Sequence, residues 1–348
     1  MRAAYEQGRI LLGRRQIESV LTDTETPNED KEKLAYVLKA REFATTIGLT
    51  PGDSFTAYSD IGKDTLAWIV VASKKDGFIP YTWWFPIVGT VPYKGFFNQT
   101  AAVEQAKKLE SQGYESSVRG TEAFSTLGWF NDPVLSTTLR NPTFKIVNTV
   151  LHESVHATVW IPNNVPFNET LASFVGNQAT VEFFKQDLFE LSSKGSSEKA
   201  TTDSQQNLNK IQGYLAASER DSSFQSEFAG VITKLYNELN QLYLNRSIST
   251  EDKLTQRTEV FNRCMMPFKS KYPRMTVLLS VNNAEIMQFM IYMTKYEIFE
   301  QLFIRVGQSW SNFFKEIQKI QKAVESEPLT DPFDMLEKAP GSSKELTQ

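Results

Sequence analysis

The chain has 348 residues, of which 41% are hydrophobic and 22% charged, with a formal net charge of −4. This is the balance of a globular protein long enough for one large domain or two lobes, and without a dense Lys/Arg patch it points away from nucleic acid as a partner. A single cysteine, Cys264, excludes an internal disulfide, and no run of 18 apolar residues offers a membrane span. Set among Met265, Met266 and Phe268, Cys264 reads as a packed core residue.

In chain order, two helices are expected first, at about Tyr5–Thr22 and Glu29–Ile47, with Asn28-Glu29-Asp30-Lys31 as a start signal and Gly48 as a stop. The character then changes. Ser54–Tyr58, Thr65–Ser73 and Tyr81–Val91 are β-branched and aromatic, and turns at Gly62-Lys63-Asp64 and Lys75-Asp76-Gly77 separate them. A helix at Gln99–Gln112 follows, then strands near Glu115–Arg119 and Glu122–Phe130. Asn141-Pro142 opens another helix with an N-cap and a first-turn proline. Pro162 and Asn163-Asn164 close it, and a second helix runs from Asn168 to Leu191. Residues 192–207 read as a loop, 206–268 as long helical sequence, and Asn283–Phe303 and Ser309–Val324 as a helix pair. The fold class is therefore α+β and mostly helical: a small mixed or antiparallel sheet, a helix pair and a C-terminal helical lobe. The expected division is 1–150 for the N-terminal helices and sheet, 151–324 for the helix pair and helical lobe, and 325–348 as a frayed tail.

The chain's only two histidines stand four residues apart, in His152-Glu153-Ser154-Val155-His156. On a helix, residues i and i+4 share a face, so both imidazoles can reach one metal ion. The pattern H-E-x-x-H is short, and chance matches occur in helical proteins. Here the surrounding Ile146, Val147, Val150, Leu151, Val155 and Val159 repeat at helical spacing, which places the motif in one largely buried helix. Two unpartnered core histidines would be costly there. A catalytic Zn²⁺ takes three protein ligands and keeps one position open. With no third histidine and Cys264 distant in the sequence, the remaining ligand must be a carboxylate, or the site is incomplete. Glu169 begins the next helix, thirteen residues past His156, and the intervening loop with Pro162 and Pro166 allows an antiparallel return. Glu182, Asp187 and Glu190 lie two or more turns further on, at about 5.4 Å per turn. Glu153 is turned about 100° from His152, so it can flank a metal without ligating it.

H-E-x-x-H followed by Asn168-Glu169 and Phe174 resembles the glutamate-ligand zinc peptidases, whose second helix supplies the third ligand. More narrowly, four stretches resemble a bacterial family of zinc aminopeptidases, many of them predicted lipoproteins. They are Phe85-Pro86-Ile87-Val88-Gly89 with Val91 to Phe97; Ser125 to Pro133 with Leu135-Ser136-Thr137; His152 to Phe174; and Asn282-Asn283-Ala284 with Tyr292. The resemblance spans about Tyr5 to Ile320. It departs at Phe124, where a tyrosine is expected, and at Gly307-Gln308-Ser309, where a double glycine and an acid are expected.

The resemblance implies a zincin-like core holding Zn²⁺ through His152, His156 and Glu169. It implies peptide-bond hydrolysis by a zinc-bound water, with Glu153 as general base. The oxyanion needs a second donor; Tyr292 is the first candidate and Tyr93 the second. A peptide substrate could pair with an edge strand near Ser125–Asn131, and Glu122 and Asp132, which flank it, are the carboxylates considered for holding a free amine. Two other classes stay open: a zinc-binding protein in which the metal only staples two helices, and a peptide- or envelope-binding module. The resemblance further implies a periplasmic or cell-envelope location through an export signal ending in a lipidated cysteine. No such cysteine stands near Met1, so a cytoplasmic location stays open.

Overall fold

The computed structural model describes residues 13–85, 89–121, 132–195, 202–273 and 281–338. In chain order the elements are β1 (Arg15–Gln16), α1 (Ile17–Thr22), α2 (Asn28–Thr46), β2 (Ala57–Ser59), β3 (Ala67–Lys74), β4 (Trp83–Phe85), β5 (Gly89–Val91) and β6 (Lys94–Phe96). They continue with α3 (Gln99–Ser111), β7 (Tyr114–Thr121), β8 (Val134–Leu135), α4 (Thr143–Thr158), α5 (Val165–Gly195) and α6 (Thr202–Leu244). The last are α7 (Thr250–Lys271), α8 (Asn283–Met293), α9 (Tyr296–Arg305), α10 (Trp310–Ser326) and α11 (Pro332–Lys338). The class is α+β, mostly helical with small sheets. Two units form, each from separate stretches: Met1–Gly62, Ala123–Ser226 and Tyr296–Gln348 in the first; Lys63–Glu122 and Glu227–Lys295 in the second.

The first unit is built on α4 and α5. Ile146, Val147, Val150, Leu151 and Val155 of α4 are buried along one stripe, each worth about 1.5–3 kcal/mol when removed from water. The first half of α5 is buried nearly all round, with Phe167, Leu171, Ala172, Phe174, Val175 and Ala179 and also the polar Asn168, Thr170 and Asn177 enclosed, as suits a central helix. Its outer side meets an aromatic cluster from the C-terminal helices. The Phe174 ring lies 5.5 Å from that of Phe313 and 5.9 Å from those of Tyr296 and Phe303, and Phe167 lies 5.2 Å from both Phe299 and Phe333. A small sheet of order β1-β2-β8 joins antiparallel and parallel pairs.

In the second unit the antiparallel sheet β6-β3-β7 pairs Val70 with Val118 and with Lys94. Alternation decides its faces. Val70 and Ala72 pack on Ala102, Ala106 and Leu109 of α3, with Trp68 alongside, while on the same strand Ser73 hydrogen-bonds the carbonyls of Gly77 and Ile79 and reaches Met287 of α8.

Several expected boundaries shift for identifiable reasons. The helix expected from Asn168 begins at Val165, because Pro166 falls in a first turn whose N–H groups have no partner to lose. It also runs on to Gly195, and α6 starts at Thr202, so most of the expected loop 192–207 is helical. The Asn283–Phe303 helix is two, broken where Lys295 takes a φ of 54°. The expected 206–268 helix breaks before Ser249, which caps α7 through Asp252. Within Tyr81–Val91, Trp83–Phe85 and Gly89–Val91 pair as two short antiparallel strands, with residues 86–88 outside the described residues, and the Ser54–Tyr58 strand shrinks to Ala57–Ser59 after Phe55 at a φ of 60°. At the head of α4, Pro142 rather than Asn141 takes the cap position, with no side-chain cap. The tail is not frayed from Glu325: α10 reaches Ser326, and α11 buries Phe333 and Leu336. The Glu122–Phe130 strand, the Ser125–Asn131 edge, and the Glu122 and Phe124 readings lie outside the described residues, as do residues 5–12 of the expected Tyr5–Thr22 helix, of whose described part only Ile17–Thr22 is helical.

Gly307 and Gln308 adopt φ of 74° and 56°, and Ser309 then caps α10 by accepting from Asn312 N. Two successive left-handed residues explain why a double glycine is the expected pattern there. Gln308→Gly should therefore stabilise the protein by up to about 1 kcal/mol; a lower melting temperature in calorimetry would contradict this.

Candidate metal centre

α4 and α5 bring His152, His156 and Glu169 together. His152 Nε2 and His156 Nε2 are 3.2 Å apart. Glu169 Oε2 lies 3.3 Å from the first and 3.5 Å from the second. Ligands about 2.0–2.1 Å from a tetrahedral Zn²⁺ are separated by about 3.3–3.4 Å. The three donor atoms therefore stand close to three corners of one zinc tetrahedron, and two imidazoles with one carboxylate suit that ion. Among the described residues this is the group of His, Cys, Asp and Glu side chains that converges tightly enough to hold a metal. The side chains are 17%, 4% and 13% exposed, so the centre is enclosed yet reachable on the His152–Glu169 side.

The electrostatics ask for a cation. Burial opposes the charge of Glu169, but hydrogen bonds and charges from both histidines overcome it and hold the carboxyl down at about 2. Burial also opposes protonation of His152, yet the Glu169 hydrogen bond and the charges of Glu153 and Glu169 raise its pKa above the usual value. His156 Nδ1 is buried with no hydrogen-bond partner among the described residues, and the Trp160 ring stands edge-on to that imidazole at 5.6 Å.

Glu153 is half-buried and has neither a hydrogen bond nor an ion pair among the described residues. The competing carboxylates are engaged elsewhere. Glu182 accepts from Trp310 Nε1 at 2.6 Å, Asp187 pairs with Lys39 and accepts from Tyr36, and Glu190 accepts from Gln186. Asp132 places its main chain against Ser54 and Phe55. Cys264 is buried, which pushes its thiol pKa up and leaves it protonated. Tyr93 and Tyr292 belong to the second unit and are 48% and 40% exposed. The Asn282-Asn283 stretch before Tyr292 is structural within that unit. Asn282 and Glu285 form a reciprocal cap on α8. Asn283, fully buried, donates to the carbonyls of Lys74 and Lys75, and its main-chain N–H donates to Glu115, itself held by a bidentate Arg257.

Three supporting residues escaped the sequence reading. Asn148, one turn before His152, donates to Asn177 Oδ1 at 2.9 Å, and Asn177 donates to Tyr296 OH at 3.1 Å. Gly176 lies where the helices approach most closely: a Cβ there would stand 3.3 Å from His152 Cβ and 3.4 Å from the Asn148 carbonyl oxygen. The available signals were polar or glycine positions in otherwise apolar helical stretches, Asn148 four residues before His152 and Gly176 seven after Glu169.

A family model described as "Putative aminopeptidase" matches residues 1–329. None of the curated proteins and none of the solved structures compared with the chain matches it.

Gly176→Val should force α4 and α5 apart at His152. The expected outcome is a loss of about 1–3 kcal/mol in chemical denaturation, together with weaker zinc retention in native mass spectrometry. Wild-type stability in this variant would show that the close approach does not constrain the pair.

Proposed function

The chain belongs to this aminopeptidase family, and from that premise we propose that it is a zinc-dependent peptidase of zincin-like architecture that removes residues from peptide amino termini. The observation that carries the reading is the convergence of three ligand atoms at 3.2–3.5 Å beside a carboxylate, Glu153, that has no hydrogen bond or ion pair among the described residues. A metal that only stapled two helices would need no such carboxylate, and a staple closes its fourth position with protein.

His152, His156 and Glu169 hold the ion. Bound Zn²⁺ supplies Lewis acidity and brings the pKa of water from 15.7 down to about 7. The work of the chain is proton transfer and positioning. Glu153 accepts a proton from the attacking water as oxygen adds to the peptide carbonyl carbon. It then delivers that proton to the departing amine nitrogen as the C–N bond breaks, and so returns to its starting charge. Tyr292, or Tyr93 in its place, donates to the oxygen on which negative charge develops. Residence in the periplasm or cell envelope belongs to the same proposal. Among the described residues no helix is long and apolar enough to cross a membrane.

A screen of aminoacyl and internally quenched peptides, with added Zn²⁺ and with chelator, tests the reading. Turnover of amino-terminal substrates that chelator abolishes and zinc restores is expected. Hydrolysis indifferent to chelator would overturn it. Glu153→Gln should retain one zinc per chain and lose about 10²–10⁴-fold in kcat; an unimpaired variant would remove Glu153 from the base role. Of Tyr292→Phe and Tyr93→Phe, one should lose about 10²–10³-fold in kcat with little change in KM, and two unchanged variants would exclude both tyrosines.

A further inference from the structure

The connection between the two metal-bearing helices is held by one side chain. Asn168 is 1% exposed. Its Oδ1 accepts from Ile161 N at 3.0 Å, and its Nδ2 donates to Ile161 O at 2.8 Å. The carboxamide thus pairs with the main chain of Ile161 at both ends, as one strand residue pairs with another. Ile161 is fully buried, so no water replaces Asn168 at those two groups. The loop it closes contains Pro162 and Asn163, the latter at a φ of 64°, so the chain reverses sharply between the clamp's two ends.

Glu169 is the next residue. Adjacent residues on a helix are separated by about 100°, so holding Asn168 against Ile161 also sets the direction in which Glu169 projects. Phe167 also holds that first turn through its ring packing on Phe299 and Phe333, but that contact does not fix the connection to Ile161. The main-chain N–H of Asn168 donates to Asn164 O at 3.1 Å, but Val165 is 44% exposed. The hydroxyl of Thr170 is buried without a hydrogen-bond partner among the described residues. Helix first turns fray when nothing outside the helix holds them. A metal ligand displaced by much more than about 0.5 Å loses its geometry.

We propose that Asn168 is a positioning residue of the metal centre: through its two hydrogen bonds to Ile161 it aims Glu169 at His152 and His156 and so sets metal affinity without touching the metal. This rests on the zinc reading above. Asn168→Asp keeps the size and the Oδ1 acceptor but turns a second oxygen toward the Ile161 carbonyl, whereas Asn168→Ala removes both bonds. A matched comparison lies in the second unit: Asn283→Ala removes another fully buried amide that donates to main-chain carbonyls, those of Lys74 and Lys75.

The test is competitive titration of Zn²⁺ against a chromophoric chelator, with the visible spectrum of the Co²⁺-loaded protein and thermal unfolding of the metal-free protein, on the wild type and all three variants. Both Asn168 variants should bind Zn²⁺ about 10–100-fold more weakly, with an altered Co²⁺ band, at temperatures where each is fully folded. Asn283→Ala should lower the melting temperature yet keep Zn²⁺ affinity within about threefold of wild type, less than the loss from a supporting residue of the metal. If Asn168→Ala fails to fold, Asn168→Asp alone decides. Wild-type affinity and spectrum in the Asn168 variants, or an equal loss in Asn283→Ala, overturns this inference while leaving the zinc site in place. A wild-type protein that takes up no metal overturns the zinc reading and this inference with it.

Discussion

The candidate site depends on the distance between α4 and α5. Packed helices ordinarily lie about 8–10 Å apart, according to the side chains between them. A metal centre tolerates only a few tenths of an ångström in its ligand positions. Gly176 narrows that gap. With no Cβ, it lets the His152 side chain and the Asn148 carbonyl come against the α5 backbone. Glu169 then reaches both imidazoles from the first turn of α5 with a side chain of ordinary length. The Asn148–Asn177–Tyr296 chain acts at the same level. Each of its hydrogen bonds contributes only about 0.5–1.5 kcal/mol, but an alternative packing would leave buried amides unpaired at about 1–3 kcal/mol each. The chain therefore selects one register of the two helices more than it adds stability.

The far side of α5 is held as firmly. Phe167 and Phe174 face rings supplied by α9, α10 and α11, and Arg305 donates to the Leu336 carbonyl. The C-terminal helices therefore brace the ligand-bearing helix from behind, although none of their residues joins the metal cluster. This explains how a match covering nearly the whole chain can accompany a site made from fewer than twenty consecutive residues. In the second unit Asn282, Asn283, Glu285 and Arg257 bind α8 and α7 to β7 and to the turn after β3. That network accounts for the Asn-Asn-Ala stretch without any catalytic role.

What could be read from the sequence follows from how local each signal is. The convergence of His152 and His156 needs only the pitch of a helix, and that helix is marked by its own apolar stripe. Glu169 needs a reversal of direction as well, and the Pro162–Pro166 segment carries that. The start of α5 was misplaced because Pro166 marks a loop and a helical first turn equally well. Tail order was missed because α11 is short; what holds it is the burial of Phe333 and Leu336 against distant partners. Gly176 and Asn177 stand out in the sequence only as a glycine and a polar residue in an apolar stretch, and Asn168 only as half of the Asn-Glu pair, and none of these signals says what the residue does. Each acts only across the gap to another element, and a glycine or asparagine within a helix is by itself ambiguous.

Tyrosine shows the same boundary between local and tertiary information. Tyr292 drew attention through its spacing from the Asn-Asn-Ala stretch, and it lies near the end of α8 in the second unit. Tyr296, four residues on, lies past the left-handed Lys295 and opens α9 in the first unit. Its hydroxyl ends the chain of hydrogen bonds that begins beside His152, and burial raises its pKa far above the ordinary phenol value. A hydroxyl so enclosed and so hard to ionise is suited to orienting the helix pair, whereas a donor to a developing oxyanion must be open to substrate. Of the two tyrosines, burial gives Tyr296 to the framework of the helix pair, while Tyr292, before Lys295, is 40% exposed. That division follows from a single left-handed residue that separates two helices where sequence periodicity suggests one.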